Sequence, residues 1–260
     1  MDRRFTMIPK PQITIKDTPI DLAKTAADLF SRQAKQCVAG KGLFFVAISG
    51  GTTPGLFHRM LVEKPYVSEI PWDKIHIFWV DERCVPENDA ASNYGAAKND
   101  FLNRAPISKT QIHPMPGWLS PEDGARKYQK ILMALFHLKY GQYPTFDLIF
   151  LGTGKDGHTA SLFPGQKALD ERERLVISVK GGDPHVSRLT MTLPVLNLAK
   201  RIIFMVSGKN KADIVKTILE FPKANLPAQR IQPLNGILTW LLDIASASML
   251  SKEHSHENHG

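Results

Sequence analysis

Cysteine and long apolar segments are scarce in this sequence. Its 260 residues include only two cysteines, Cys37 and Cys84, which are too few for a disulfide framework and fit a reducing compartment. The longest apolar runs, such as 43–48, fall far short of the roughly 20 residues that span a bilayer. The opening MDRRFTMIPK lacks the apolar core of a secretion signal. We therefore predict a cytoplasmic protein without a membrane anchor.

Several catalytic signatures are missing as well. The sequence contains no GxxxxGK[ST] phosphate loop, no GxSxG nucleophile elbow and no HExxH metal motif. His76, His113 and His158 are isolated from one another along the chain. These absences argue against nucleotide-dependent, covalent-serine and zinc chemistry, so we expect neither a metal ion nor another cofactor.

Basic residues outnumber acidic ones. The 33 Lys and Arg residues against 25 Asp and Glu residues give a formal net charge of +8, which indicates an anionic partner. The basic residues are scattered, and no zinc-finger, RNP or basic-region motif accompanies them. We therefore expect a small anionic ligand and no nucleic acid. A basic nucleic-acid-binding protein is the competing hypothesis, and a steep loss of affinity with salt would reveal it.

No repeat, Gly/Ser-rich linker or shift in composition divides the chain. A hydrophobic content of 43% is enough for the core of one large domain, which we predict over residues 1–250 and expect to be a monomer. The polar segment 251–260 carries three histidines. We expect this segment to be a disordered tail, with metal chelation as the alternative.

Short apolar runs rich in β-branched and aromatic residues alternate with segments of helical period. The predicted strands are Leu43–Ser49, Ile75–Val80, Phe146–Leu151, Leu175–Val179, Leu189–Leu193 and Ile202–Ser207. Apolar residues mark one face of a helix over 20–38 and of another over 131–138. This alternation predicts a doubly wound α/β fold, a mostly parallel sheet with helices on both faces. Ligands of such sheets bind at the carboxyl ends of the strands.

The first predicted strand ends in a glycine-rich turn, Ser49-Gly50-Gly51-Thr52, with a helix expected to begin near Pro54. Backbone N–H groups of Gly50, Gly51 and Thr52 have the freedom to approach an anion, and the helix dipole favours negative charge. An ordinary strand-to-helix turn capped by threonine is the alternative.

The second predicted strand leads into Asp81-Glu82-Arg83, two carboxylates and a guanidinium at the mouth of the sheet. A surface ion-pair group is an equally good interpretation of these three residues in isolation. For Ser92 and Asn93, which precede a short predicted helix, capping is the better interpretation and ligand contact the alternative.

The third strand leads into Gly152-Thr153-Gly154-Lys155-Asp156-Gly157-His158, which formally matches the dinucleotide pattern GxGxxG. No acid follows at the end of the next strand, so we interpret the match as false. The loop instead brings Asp156 and His158, two groups that exchange protons, to the carboxyl end of the sheet.

Lys211 lies in the expected first turn of a helix, where a positive charge is opposed by the helix dipole. We therefore expect Lys211 to bind an anion, and Arg188 could bind the same anion through two hydrogen bonds.

Taken together, the ordered segments SGGTTP, WVDERCVP, SNYG, LGTGKDGHTASLFP, RLTMTLP, SGKNKA and LTWLLD resemble the 6-phosphogluconolactonase family, over about residues 43–245. That family is similar in fold to glucosamine-6-phosphate deaminase and ribose-5-phosphate isomerase, with a modified Rossmann sheet. The resemblance implies hydrolysis of 6-phospho-D-glucono-1,5-lactone to 6-phosphogluconate, a step of the oxidative pentose phosphate pathway.

Carried over by position, the resemblance makes His158 the base that activates water and places Asp81 and Arg83 in the substrate pocket. The phosphate would bind at Gly50, Gly51 and Thr52, with Arg188 and Lys211 as helpers, and either Arg83 or Arg188 would be the arginine that holds it. Either Asp156 or Asp81 would orient the imidazole.

The related deaminases share the Asp-Gly-His triplet, so an amino-sugar phosphate deaminase or isomerase is the alternative enzyme. A non-catalytic sugar-phosphate sensor is the alternative from another class. The flanking TASLFP and DERCVP segments depart from the deaminase pattern and favour the lactonase.

Overall fold

A computed structural model describes residues 10–251, which form a central parallel sheet with helices and a smaller antiparallel sheet. The central strands, in chain order, are β1 (Gln12–Lys16), β2 (Phe44–Ile48), β3 (Ile75–Trp79), β5 (Ile112–His113), β6 (Leu148–Leu151), β9 (Arg201–Val206) and β10 (Ile237–Asp243). The small sheet consists of β4 (Asp81–Arg83), β7 (Val176–Gly181) and β8 (Val186–Met191). The tail 251–260 lies, except for Ser251, outside the described residues, and so do residues 1–9.

Eight α-helices connect and cover these strands within the described residues. They are α1 (Pro19–Lys41), α2 (Thr52–Met60), α3 (Tyr66–Glu69), α4 (Asn93–Ala97), α5 (Pro121–Leu135), α6 (Leu193–Asn197), α7 (Ala212–Glu220) and α8 (Ile244–Ala247). Helix α1 begins where the Thr18 side chain accepts a hydrogen bond from the Asp21 N–H, and it ends at Gly42, whose φ of 83° suits glycine. No helix in residues 10–251 has both the length and the apolar composition needed to cross a membrane.

The central sheet is covered on both faces. All four residues of β6 are buried, as are Ile202–Val206 of β9, so side chains pointing to either side meet apolar neighbours. Strands buried on both faces read as continuous apolar runs, which is why the sequence revealed them. The predicted doubly wound, mostly parallel fold is confirmed.

Two predicted strands lie outside the central sheet. Residues 175–179 and 189–193 contribute to β7 and β8, which pair antiparallel with each other, and β8 pairs with β4. Only the turn 182–185 separates β7 from β8, and a connection this short cannot make the crossover that parallel neighbours need. Strand β8 ends at Met191, and Leu193 already begins α6.

The strand order β1-β10-β9-β6-β2-β3-β5 creates a switch point between β6 and β2. From β2 the chain continues to β3 on one side, and from β6 it continues to β9 on the other. The Ser49 hydroxyl donates to the Phe150 carbonyl at 2.8 Å and ties the two strands together near their carboxyl ends. Loops that diverge from such a point leave a crevice between them, which is where ligands bind in open α/β sheets.

Candidate active site

His158 and Asp156 form a hydrogen-bonded pair in the loop after β6. The Nδ1 atom of His158 lies 2.6 Å from Oδ1 of Asp156, and the His158 backbone N–H donates to the same oxygen at 3.2 Å. Burial alone would raise the pKa of Asp156, but the charge of His158 and these hydrogen bonds lower it. An ionised carboxylate only accepts, so Nδ1 carries the proton in the neutral imidazole and Nε2 has a free lone pair.

Gly154 makes room for this pair. A methyl group in place of its α-hydrogen would lie 2.1 Å from Nδ1 of His158 and 2.5 Å from Oδ1 of Asp156. The Gly154 N–H also donates to the His158 carbonyl at 3.0 Å, which closes the loop. The glycine at this position is therefore required by close packing against the two side chains.

Asp81 lies at the start of β4 and is held by two side chains. The Ser161 hydroxyl donates to Oδ2 at 2.6 Å, and the Asn93 amide approaches Oδ1 at 3.3 Å and the Asp81 carbonyl at 2.9 Å. Asp81 is only 6% exposed. The structure thus connects Asp81 to the His158 loop through Ser161, whereas the carboxylate next to the imidazole is that of Asp156.

Glu82 anchors the loop that leads to α4, a role that the sequence did not reveal. Its buried carboxylate accepts hydrogen bonds from the backbone N–H groups of Arg83, Asn93 and Tyr94 and from the Ser92 hydroxyl. Burial raises the pKa of Glu82, against the opposing effect of the three N–H donors. Ser92 caps α4 as expected, because its hydroxyl accepts from the Gly95 N–H at 3.0 Å.

Asn93 connects Asp81 with the glycine-rich turn. A methyl group on Gly50 would lie 2.0 Å from Oδ1 of Asn93, so the amide packs directly on the turn. The side chain therefore contacts Asp81 and Gly50, and the expectation that Asn93 caps a helix is wrong. No local pattern reveals such a contact, since the three residues lie in separate segments.

The Gly50-Gly51-Thr52 turn opens α2 two residues before the expected start. Helix α2 begins at Thr52, and its N-cap is Gly51 with a φ of 115°, a conformation that favours glycine. Within residues 10–251, no side chain caps this helix end. The first N–H groups of α2 are therefore available to an anion, in a direction that the helix dipole supports.

Lys211 reaches the His158 loop from the neighbouring strand β9. It precedes α7, and its ammonium group donates to the Thr153 carbonyl at 2.7 Å. Burial and the nearby charge of Lys155 lower its pKa, although Asp156 opposes them. The loop below it is held by Asp243 of β10, whose carboxylate accepts from Ser207 and from the Gly208 N–H.

Arg83 and Arg188 are directly opposite each other on β4 and β8. Arg83 donates to the Ala91 carbonyl at 2.6 Å, and its buried Nε finds no partner among residues 10–251. Arg188 is 3% exposed, and its Nε and Nη2 donate to the carbonyls of Gly181, Asp183 and Pro184. Arg188 is thus committed to its own hairpin, whereas Arg83 retains donor capacity.

These groups follow three neighbouring strands of the central sheet. His158 follows β6, and β6 lies between β9, which precedes Lys211, and β2, which precedes the glycine-rich turn. The imidazole and its ionised partner therefore lie between a lysine and the N–H groups of a helix. Such an arrangement suits a substrate that carries an anionic group and undergoes a proton transfer.

Comparison with known proteins supports the resemblance seen in the motifs. Residues 17–240 match the family described as glucosamine-6-phosphate isomerases/6-phosphogluconolactonase. The chain is 37% identical over 244 residues to 6-phosphogluconolactonase from Rattus norvegicus, with 92% of this chain and 93% of the relative covered. It is 38% identical over 237 residues to 6-phosphogluconolactonase from Synechocystis sp., with 90% and 95% covered. The solved 6-phosphogluconolactonase of Trypanosoma brucei superimposes with a TM-score of 0.82 at 27% identity, covering 93% of this chain and 99% of that one.

Proposed function

Because this chain belongs to the glucosamine-6-phosphate isomerase/6-phosphogluconolactonase family, we propose that it hydrolyses 6-phosphogluconolactone to 6-phosphogluconate. The observation that supports this activity most directly is the 2.6 Å contact between His158 and Asp156 in the loop after β6. It leaves one imidazole nitrogen as a proton acceptor in a crevice that also offers anion-binding groups.

In the proposed mechanism His158 acts twice. Its Nε2 takes a proton from water while the water oxygen attacks the lactone carbonyl carbon, which forms a tetrahedral intermediate. The intermediate then breaks the bond to the ring oxygen, and the imidazolium returns its proton to that oxygen. Asp156 holds the ring in the required tautomer and stabilises the imidazolium, since its lowered pKa keeps it ionised.

We assign the phosphate to the Gly50-Gly51-Thr52 turn, Lys211 and Arg83. The turn supplies helix N–H groups, and Lys211 and Arg83 supply half-buried charges. Arg188 adds its charge from behind Arg83, because most of its donors already bind backbone carbonyls. Asp81 shapes the pocket through Ser161 and Asn93.

The decisive experiment follows the release of 6-phosphogluconate from freshly prepared lactone with a coupled dehydrogenase. We expect turnover by the purified protein without added metal or nucleotide. Unphosphorylated gluconolactone serves as the matched control and should be a poor substrate. Release of ammonia from glucosamine 6-phosphate without lactone hydrolysis would instead assign the deaminase activity.

Other expectations from the sequence stay predictions. They are the cytoplasmic location, the monomeric state, the single domain over 1–250 and the lack of nucleic-acid binding. Salt titration with nucleic acid tests the lack of nucleic-acid binding, and sedimentation of the purified protein tests the monomeric state.

A further inference from the structure

We propose that Phe163 is a positioning residue for the catalytic imidazole, held in place by Arg188 and the β7–β8 hairpin. The inference rests on the proposed function of His158. The ring centroids of Phe163 and His158 are 4.8 Å apart, with 53° between the ring planes. Phe163 is 5% exposed, so it presents a fixed apolar surface to the imidazole.

The contact supplies a constraint that Asp156 cannot give. A single hydrogen bond at Nδ1 fixes one edge of the imidazole but leaves rotation about the line that joins Nδ1 to Oδ1 of Asp156. A ring packed against the imidazole limits this rotation and thereby directs Nε2. Catalytic side chains need such support from neighbours whose own positions are fixed.

A tight turn folds Phe163 back onto His158. The Leu162 N–H donates to the Thr159 carbonyl at 2.9 Å, and Ala160 adopts a φ of 47°, which costs energy in a residue with a β-carbon. Ser161 secures the turn, since its hydroxyl donates to Asp81 at 2.6 Å and its N–H to Thr190 at 3.2 Å. The strained conformation of Ala160 thus lies in the turn that brings the rings of His158 and Phe163 together.

The β7–β8 hairpin supports the other side of Phe163. Methyl groups on Gly181 and Gly182 would lie 2.9 Å and 3.0 Å from its ring atoms, so the backbone packs directly on the ring. The Arg188 guanidinium lies 5.7 Å from the ring centroid, and its hydrogen bonds to three carbonyls fix it there. This arrangement gives Arg188 a second role, beside the charge that it adds near Arg83.

The test compares Phe163→Leu and Phe163→Met with Phe146→Leu in the full-length protein. Phe146 is 0% exposed and packs on Phe78 and Phe136, so its replacement removes a comparable ring away from His158. We expect kcat to fall about tenfold in both Phe163 variants with KM changed less than about twofold, because only the base loses its orientation. Phe146→Leu should lower the unfolding midpoint and keep kcat. The methionine variant, closer in volume to phenylalanine, covers the case in which Phe163→Leu does not fold.

Proton NMR provides the second readout. The Hε1 resonance of His158, identified by its loss in His158→Ala, should shift in the Phe163 variants because the aromatic ring current disappears. It should stay in place in Phe146→Leu. An unmoved resonance, or a loss of kcat no larger than that of Phe146→Leu, overturns the proposal. The resonance reports that the two rings pack together, and the change in kcat at nearly constant KM reports the orientation. If the wild-type protein lacks lactonase activity, the proposed function fails and the positioning role fails with it, whereas an active wild-type protein with unchanged kcat in the Phe163 variants overturns the positioning role alone.

Discussion

The carboxylate of Asp156 and the imidazole of His158 are joined by a 2.6 Å hydrogen bond, although the two residues are separated by only one glycine. We expect Asp156→Asn to lower kcat by about 10²-fold, because an amide does not enforce the tautomer that leaves Nε2 unprotonated. The loss should be smaller than in enzymes with a buried carboxylate, since the Asp156 side chain is 51% exposed and water partly replaces it. Steady-state kinetics measure the change.

Asp170→Asn is the matched control, because that carboxylate is 78% exposed and pairs with Arg230. Wild-type kcat in Asp156→Asn would mean that another group, with Asp81 the first candidate, orients the base.

Replacement of His158 itself should have the larger effect. General base catalysis supplies about 10²–10⁴-fold in rate, so His158→Ala should lower kcat by that factor while KM changes little. Steady-state kinetics of both proteins measure the change, after subtraction of spontaneous lactone opening in a blank without enzyme. A folded variant with most of the wild-type kcat would show that His158 is not the general base.

Gly154→Ala should separate the His158–Asp156 pair without removing either side chain. The added methyl group would lie 2.1 Å from Nδ1 of His158, so the imidazole must move. We expect a loss of kcat similar to that of Asp156→Asn, about 10²-fold, by loss of orientation. Gly152→Ala is the control in the same loop, since no atom of the described part of the chain lies within 4 Å of its added methyl group. Equal activity of the two variants would contradict the close packing described for Gly154.

Lys211→Met should weaken use of the phosphorylated lactone. A hydrogen bond to a charged group contributes roughly 1.5–3 kcal/mol, so kcat/KM should fall at least about tenfold. Lys209→Met in the same turn, with an exposed side chain, should change kcat/KM little. The effect should also be absent with unphosphorylated gluconolactone. A similar decrease of kcat/KM with both lactones would show that Lys211 does not bind the phosphate.

The burial of His58 predicts that the free energy of unfolding decreases as the pH falls. Burial, and then the charge of Arg59, lowers the pKa of His58 to about 3, so between this value and about 6.5 only the unfolded chain binds the proton. Unfolding is therefore favoured as pH falls through this range. His58→Leu should reduce the pH dependence of the free energy of unfolding by about 1.4 kcal/mol per pH unit between pH 6 and 4, measured by urea titration. His185→Gln, at an exposed position, should retain the wild-type dependence.

The sequence predicts four strands of the central sheet and misses β1 and β10, although β10 is also largely apolar and buried. The predictions for β2, β3, β6 and β9 are confirmed because each strand consists mainly of buried apolar residues. Strand β5 has only two residues and β4 reads as a charged cluster, so neither shows a strand pattern. Their pairing depends on neighbours far away in the chain.

The same distinction applies to the candidate site. Asp156 and His158 lie in one loop, so sequence alone suggested that they meet, and the motifs led to the family that the comparisons confirm. The contacts of Asn93 with Gly50 and of Phe163 with the hairpin glycines join segments that no spacing rule connects. A non-glycine residue at positive φ, Ala160, also leaves no trace in the sequence.

The position of β10 between β1 and β9 has a consequence for biosynthesis. Gln12 of β1 and Thr239 of β10 are neighbours although they are 227 residues apart. On the ribosome, β1 emerges early but has no place in the sheet until β10 follows, and the edge of β9 stays open meanwhile. Sheets that depend on such distant partners form slowly, and open edges invite association with other chains. Among the strands of residues 10–251, β10 is translated last, and it is the strand that joins β1 to the rest of the central sheet.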